Sequence, residues 1–256
     1  MSKVVSVHSF RGGTGKSNVT ANIATIIAGS GRRVGIVDTD IQSPGIHVLF
    51  GLEEEKINYT LNDYLWGRCA VEQAAYDVTP NLKVKQPLFG RKGSIYLIPS
   101  SIKTGEISRI LREGYDARRL NDGLQDLMCR LKLDYLLIDT HPGINEETLL
   151  SIIISNVLVV ILRPDRQDYQ GTAVAVDVAR KLEVPKMLLV VNKALPALDF
   201  GALRQEMQKT YNTKVAGILP VCEEMFHLGS SDIFCLRYPD HFWSREIKAI
   251  AKHVVG

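Results

Sequence analysis

Short apolar runs alternate with segments of helical periodicity along the whole chain. Lys3–Ser9 (KVVSVHS) alternates and is rich in Val, which predicts a strand. Val19, Ile23, Ile26 and Ile27 then recur at helical spacing, and Gly29 and Gly31 close that helix. Arg33–Asp38 is an apolar run ending in an acid. Thr60–Gly67 reads as a short helix capped by Thr60, and Ser94–Ile98 as a strand. Leu120, Leu124, Leu127, Met128 and Leu131 share one helix face. Asp134–Asp139, Val157–Leu162, Lys186–Asn192 and Lys214–Leu219 are further strand runs. Helices are expected over about Glu146–Ser155, Asp168–Leu182, Phe200–Lys209 and Trp243–Val255. Short continuous apolar runs are what a parallel sheet covered on both faces requires. Strands alternating with helices predict an α/β, doubly wound, mainly parallel sheet. The stretch from about Asn81 to Gly93 is the least patterned and is expected to be a loop or edge hairpin.

Composition narrows this picture. The chain has 256 residues and shows no linker, repeat or low-complexity segment, so one domain over residues 1–256 is expected. Its start has no apolar leader core. Its longest apolar stretch, about Leu149 to Leu162, is broken by Ser151, Ser155 and Asn156. Cys69, Cys129, Cys222 and Cys235 are scattered without a CxxC pair, which predicts reduced, mostly packed thiols in a cytoplasmic protein. The net charge of +3 selects no partner by itself.

The chemistry concentrates where the first strand ends, at Phe10-Arg11-Gly12-Gly13-Thr14-Gly15-Lys16-Ser17-Asn18 before a helix. Glycines there let backbone N–H groups converge on a phosphate, and the helix N-terminus adds its positive end. Lys16 is placed to reach β/γ-phosphates and Ser17 to meet Mg²⁺. The standard phosphate-loop pattern is not met, because Phe10 stands at its first glycine. Asp38 and Asp40, in DTDIQSPG, and Asp139, after Tyr135–Ile138, end strands on the side where ligands bind in such sheets.

This loop resembles the deviant Walker A family of MinD, ParA and related ATPases, whose loop reads xKGGxxK[ST]. Arg11 stands where that family has its signature lysine. The resemblance implies an ATP and Mg²⁺ cofactor set and an ATP-dependent sandwich homodimer. Lys16, Asp40 and Arg11 would be catalytic, with Arg11 reaching the facing subunit's phosphates as a bidentate cation. Gly12, Gly13, Thr14, Gly15, Lys16, Ser17 and Asn18 would wrap the phosphates. Ser17, Asp38 and Asp139 would hold Mg²⁺, and Asp40 would orient the attacking water. Thr140-His141-Pro142-Gly143 is similar to the family's switch II, with His141 a departure that reads best as a structural loop residue. Asn192 would bond adenine and Pro220 would flank it.

Function follows as an expectation. A MinD/ParA-like ATPase would hydrolyse ATP slowly, be stimulated by a partner protein, and position or partition a cargo. Cluster-carrying relatives use CxxC pairs, so no iron–sulfur cluster is expected. Arg245, Lys248 and Lys252 fall on one face of the last helix, and residues 163–214 carry nine Lys/Arg against six Asp/Glu. Both features fit nonspecific DNA binding or an ordinary solvated face. A membrane role with Trp243 as anchor is less favoured, since the last helix needs its apolar face for the core. Two alternatives stand beside this reading: a metabolic ATP-dependent ligase of the dethiobiotin-synthetase type, and a non-hydrolysing nucleotide-binding scaffold.

Overall fold

The computed structural model describes residues 2–82 and 93–256. The loop or hairpin expected over about 81–93 therefore lies mostly outside the described residues. Among the described residues, eight strands form one sheet: β1 Lys3–His8, β2 Arg33–Asp38, β3 Tyr76–Asp77, β4 Ser94–Ile98, β5 Tyr135–Asp139, β6 Val157–Leu162, β7 Met187–Ala194 and β8 Lys214–Pro220. Their order is β3-β4-β2-β5-β1-β6-β7-β8. Every neighbouring pair is parallel except the short edge strand β3, which runs antiparallel to β4. This is the expected fold class.

The helices are α1 Lys16–Gly29, α2 Ile46–Leu49, α3 Leu61–Leu65, α4 Thr104–Glu113, α5 Ala117–Arg130, α6 Glu146–Ile153, α7 Arg166–Lys181, α8 Phe200–Tyr211, α9 Glu223–Leu228, α10 Phe234–Arg237 and α11 Phe242–Val255. Side chains alternate across each strand, so a continuous apolar run feeds both faces. Val5 and Val7 of β1 join Val34 and Ile36 of β2 under α1 and α11. Val4, Val37, Leu136 and Ile138 face the other way, onto Leu120, Leu124 and Leu127 of α5. Leu158, Val160, Leu189 and Val191 pack with Val176 of α7 and Leu203 and Met207 of α8.

Local signals place the ends. Thr60 caps α3 in a reciprocal box with Asp63, as its position predicts. Asp165 and Asp199 cap α7 and α8 through their side chains. In α11, Ile247, Ile250, Ala251 and Val254 are buried as expected, and Trp243 joins them in the core against Phe234. Cys129 is exposed, against the expectation of mostly packed thiols, because it falls on the outer face of α5. No helix among the described residues is long and apolar enough to cross a membrane.

Candidate nucleotide site

Parallel strands β1, β2, β5, β7 and β8 all deliver their C-terminal ends to one edge of the sheet. Along that edge lie the Phe10–Ser17 loop, Asp38, Asp139, Asn192 and Pro220. Gly15 is the N-cap of α1 and is left-handed at φ 86°. A Cβ there would also meet the Asn192 amide at 2.5 Å, so both conformation and space call for glycine. Lys16 is buried and its Nζ lies 2.8 Å from Asp139 Oδ1 and 3.8 Å from Asp40 Oδ2. Thr20, one turn along α1, donates to the same Asp139 oxygen at 3.1 Å.

Three carboxylates thus crowd around one lysine. Asp38 is fully buried, and it accepts from the backbone N–H groups of Asp40 at 3.0 Å and Gly45 at 3.2 Å. Burial, then the charges of Asp139 and Asp40, push its pKa up to about 8, while Lys16 pulls it down. Asp139 Oδ2 and Thr14 Oγ1 are buried with no hydrogen-bond partner. Unpaired buried carboxylate oxygen beside surplus negative charge suits a hard divalent cation such as Mg²⁺. Asp139, Asp38 and Ser17 are the residues that could hold it, and the glycine loop could take phosphate.

The Asp139–Gly143 segment is pinned on three sides. Asp139 is held by Lys16, Thr140 donates to Val7 O at 3.1 Å and bonds His8 Nδ1 at 2.9 Å, and His141 Nδ1 lies 2.7 Å from Asp40 Oδ1. Arg11 is half-exposed and its guanidinium donates to Gln167 Oε1 on α7. Phe10, the residue that breaks the standard loop pattern, fills the space beside Gly171 of α7, where an added Cβ would meet its ring at 2.1 Å. So α7, through Gln167 and Gly171, shapes the loop from outside. Neither residue has a local sequence signal for this.

Asn192 and Pro220, the residues expected near a base, line one cavity. Asn192 donates to Thr14 O at 2.7 Å, and Lys193 Nζ to Gly13 O at 2.8 Å. A cavity of about 160 Å³ opens beside them, lined by Asn18, Asn192, Pro220, Met225, Phe226 and Trp243 among others. The last three carry no local sequence signal for a site. A Phe and a Trp flanking a mainly apolar slot would suit a planar ring. Cys222, Glu224 and His241 bring possible metal-binding atoms within 4.8 Å of one another at its rim. His241 Nδ1, however, accepts the Trp243 N–H and caps α11. That leaves the ring proton on Nε2, the nitrogen facing Glu224, so the trio does not present a coordinating imidazole.

A family model described as an AAA domain (AAA_31) matches residues 2–186. The chain belongs to this family, a MinD/ParA-type group of P-loop ATPases. Three relatives bracket it. An uncharacterized ATP-binding protein of Methanocaldococcus jannaschii is 24% identical over all of this chain and 89% of its own length. The septum site-determining protein MinD of Bacillus subtilis is 30% identical over 64% of this chain and 54% of its own. An iron–sulfur cluster carrier protein of Pyrococcus abyssi is 26% identical over 73% of this chain and 60% of its own. Among solved structures, MinD of Pyrococcus horikoshii complexed with Mg-ADP superposes with a TM-score of 0.77 at 20% identity, covering 99% of this chain and 96% of that one. At that identity the superposition speaks for the fold, and the MinD/ParA fold is the one found here.

Proposed function

We propose that this MinD/ParA-family chain binds Mg·ATP at the Phe10–Ser17 loop, dimerises face to face around two nucleotides, and hydrolyses ATP to release the dimer. The observation that carries the reading is the buried Lys16–Asp139 pair with an unpaired Asp139 oxygen, set against the glycine loop and Asp38. In this reading Gly12, Gly13, Thr14, Gly15, Ser17 and Asn18 wrap the phosphates, and Lys16 leaves Asp139 for them. Ser17, Asp38 and Asp139 hold Mg²⁺, which supplies charge neutralisation at the phosphates when bound. Asp40 orients water, Arg11 leaves Gln167 to serve the facing subunit, and Asn192 and Pro220 bound the base slot. Single-protein turnover is slow, and a partner protein speeds it.

The cycle would serve spatial positioning of a cargo in the cytoplasm. The surface best suited to a polyanionic cargo such as DNA lies at the opposite edge of the sheet from the nucleotide site. Lys3, Lys186 and Lys214 start or precede β1, β7 and β8, with Lys252, Arg204 and His253 beside them. Among the described residues these Lys and Arg side chains form no ion pair with a carboxylate. Burial first, then Lys214, Lys186 and Arg204, lower the pKa of His253. This patch shares Lys252 with the helix face expected from sequence; the Lys248 amine donates to Pro239 O at 2.9 Å, as Lys3 Nζ does to Val255 O at 2.9 Å and Arg204 to Val215 O at 2.6 Å. Phosphate release from Mg·ATP by the wild type, absent in Lys16→Ala, tests the enzymatic part. A wild type that binds ATP without turnover would leave the scaffold alternative in its place.

A further inference from the structure

His141 breaks the family's usual switch II pattern, and its side chain has a defined partner. Its Nδ1 donates to Asp40 Oδ1 at 2.7 Å. The other Asp40 oxygen lies 3.8 Å from Lys16 Nζ. Asp40 therefore sits between two cationic or donor groups, with Asp38 close enough for the two carboxylates to repel each other.

The two contacts differ in permanence. Lys16 is the group a phosphate would draw away. His141 is fixed from several directions: its carbonyl accepts from Thr148 Oγ1 at 3.3 Å, Thr140 is tied to β1, and Gly143 N donates to Ser9 O at 3.2 Å. Asp40 N is tied to Asp38 Oδ1, and Thr39 N donates to Asp139 O at 2.9 Å, so the backbone beneath Asp40 is fixed too. Only the carboxylate's rotamer is left to choose. Once Lys16 turns to phosphate, a carboxylate beside another would swing toward solvent unless a donor retains it.

We propose that His141 is a positioning residue that retains Asp40 by one carboxylate oxygen, so that the other oxygen is free to orient water when Lys16 has moved to the nucleotide. The inference rests on the ATPase reading above and adds the residue that aligns its water-orienting carboxylate. No proton transfer to His141 is required, because the hydrogen bond alone fixes the rotamer. Precise retention matters because a misplaced reacting group loses rate without losing affinity.

The test is a kinetic cycle on the full chain with Mg·ATP. His141→Ala should lower kcat about tenfold or more while ATP affinity stays within about threefold. His141→Asn, whose amide N–H can stand near the place of Nδ1–H, should recover most of the loss. In an Asp40→Ala background, His141→Ala should add no further loss, since both act on one carboxylate. An unchanged kcat in His141→Ala, or losses that multiply in the double variant, overturns the inference alone. A wild type without turnover overturns the ATPase reading and this catalytic role together. The contact itself has a separate readout: the His141 ring ¹⁵N shifts of the nucleotide-free protein should change in Asp40→Ala, and unchanged shifts also overturn it.

Discussion

One buried imidazole should subtract from the stability of this protein in mild acid. His8 is fully buried at the end of β1, and burial first, then Lys16 and His141, push its pKa from 6.5 down to about 3. Thr140 Oγ1 donates its proton to Val7 O, so His8 Nδ1 must carry the proton in its bond to Thr140, and Nε2 is left as a bare buried acceptor. An unfolded chain would take up a proton near the ordinary value, and the folded chain not until pH about 3. The folded pKa is the lower one, so stability is intact above the unfolded value and is lost as pH falls from about 6.5 toward 3. Between about pH 7.5 and about pH 5 the loss is about 2 kcal/mol, out of a full gap of about 4–5 kcal/mol. Asp38 works in the opposite sense. Its folded pKa is raised to about 8, so it costs stability as pH rises from the ordinary carboxylate range toward that value. Comparing two proteins that share Asp38 isolates His8. Urea unfolding of the wild type and of His8→Asn, which keeps a donor for Thr140, should be followed by circular dichroism at both pH values. On going from the higher to the lower pH, the change in the wild type's stability should be about 2 kcal/mol less favourable than the change in the variant's. Equal changes would refute the assignment of a neutral, proton-excluding His8.

Other perturbations probe the rest of the site. Lys16→Met strands the buried Asp139, so it should cost about 3 kcal/mol in urea unfolding and abolish the rise in Tm that Mg·ADP gives the wild type; a variant still stabilised by Mg·ADP would contradict the phosphate role. Gly171→Ala drives a Cβ into the Phe10 ring at 2.1 Å and should cost about 1–3 kcal/mol with weakened ATP binding; unchanged stability and affinity would show that α7 does not shape the loop. Trp243 lines the proposed base slot, so in a Trp66→Phe protein Mg·ADP should alter its emission while inorganic pyrophosphate does not; an identical response to both would remove the base from that slot.

Legibility followed burial. Arg33–Asp38, Ser94–Ile98 and Val157–Leu162 are strands over the same limits that their apolar runs predict, because a strand buried on both faces has little choice of residue. The α4 helix carries no expectation from sequence. It buries only Ile110, so its pattern is that of a surface segment. The two-residue β3 and the short α2, α9 and α10 are held by tertiary contacts and have no period of their own. In the site, Lys16, Asp38, Asp139 and Asn192 stand out in the sequence because Lys16 opens the helix after β1, Asp38 and Asp139 close β2 and β5, and Asn192 lies near the end of β7. Met225, Phe226 and Trp243 were not, since they reach the slot from α9 and α11 in a region read as core helix and connection. The grip of Gln167 on Arg11 joins residues 156 positions apart, which no local pattern encodes.

The account turns on ATP, not ADP, drawing two copies together around this site. Sedimentation velocity of Asp40→Ala, where hydrolysis should stall, tests that directly with Mg·ATP, with Mg·ADP, and with ATP plus a chelator. A dimer is expected with Mg·ATP and monomers in the other two. Monomers in all three, in a variant shown to bind ATP, would contradict it.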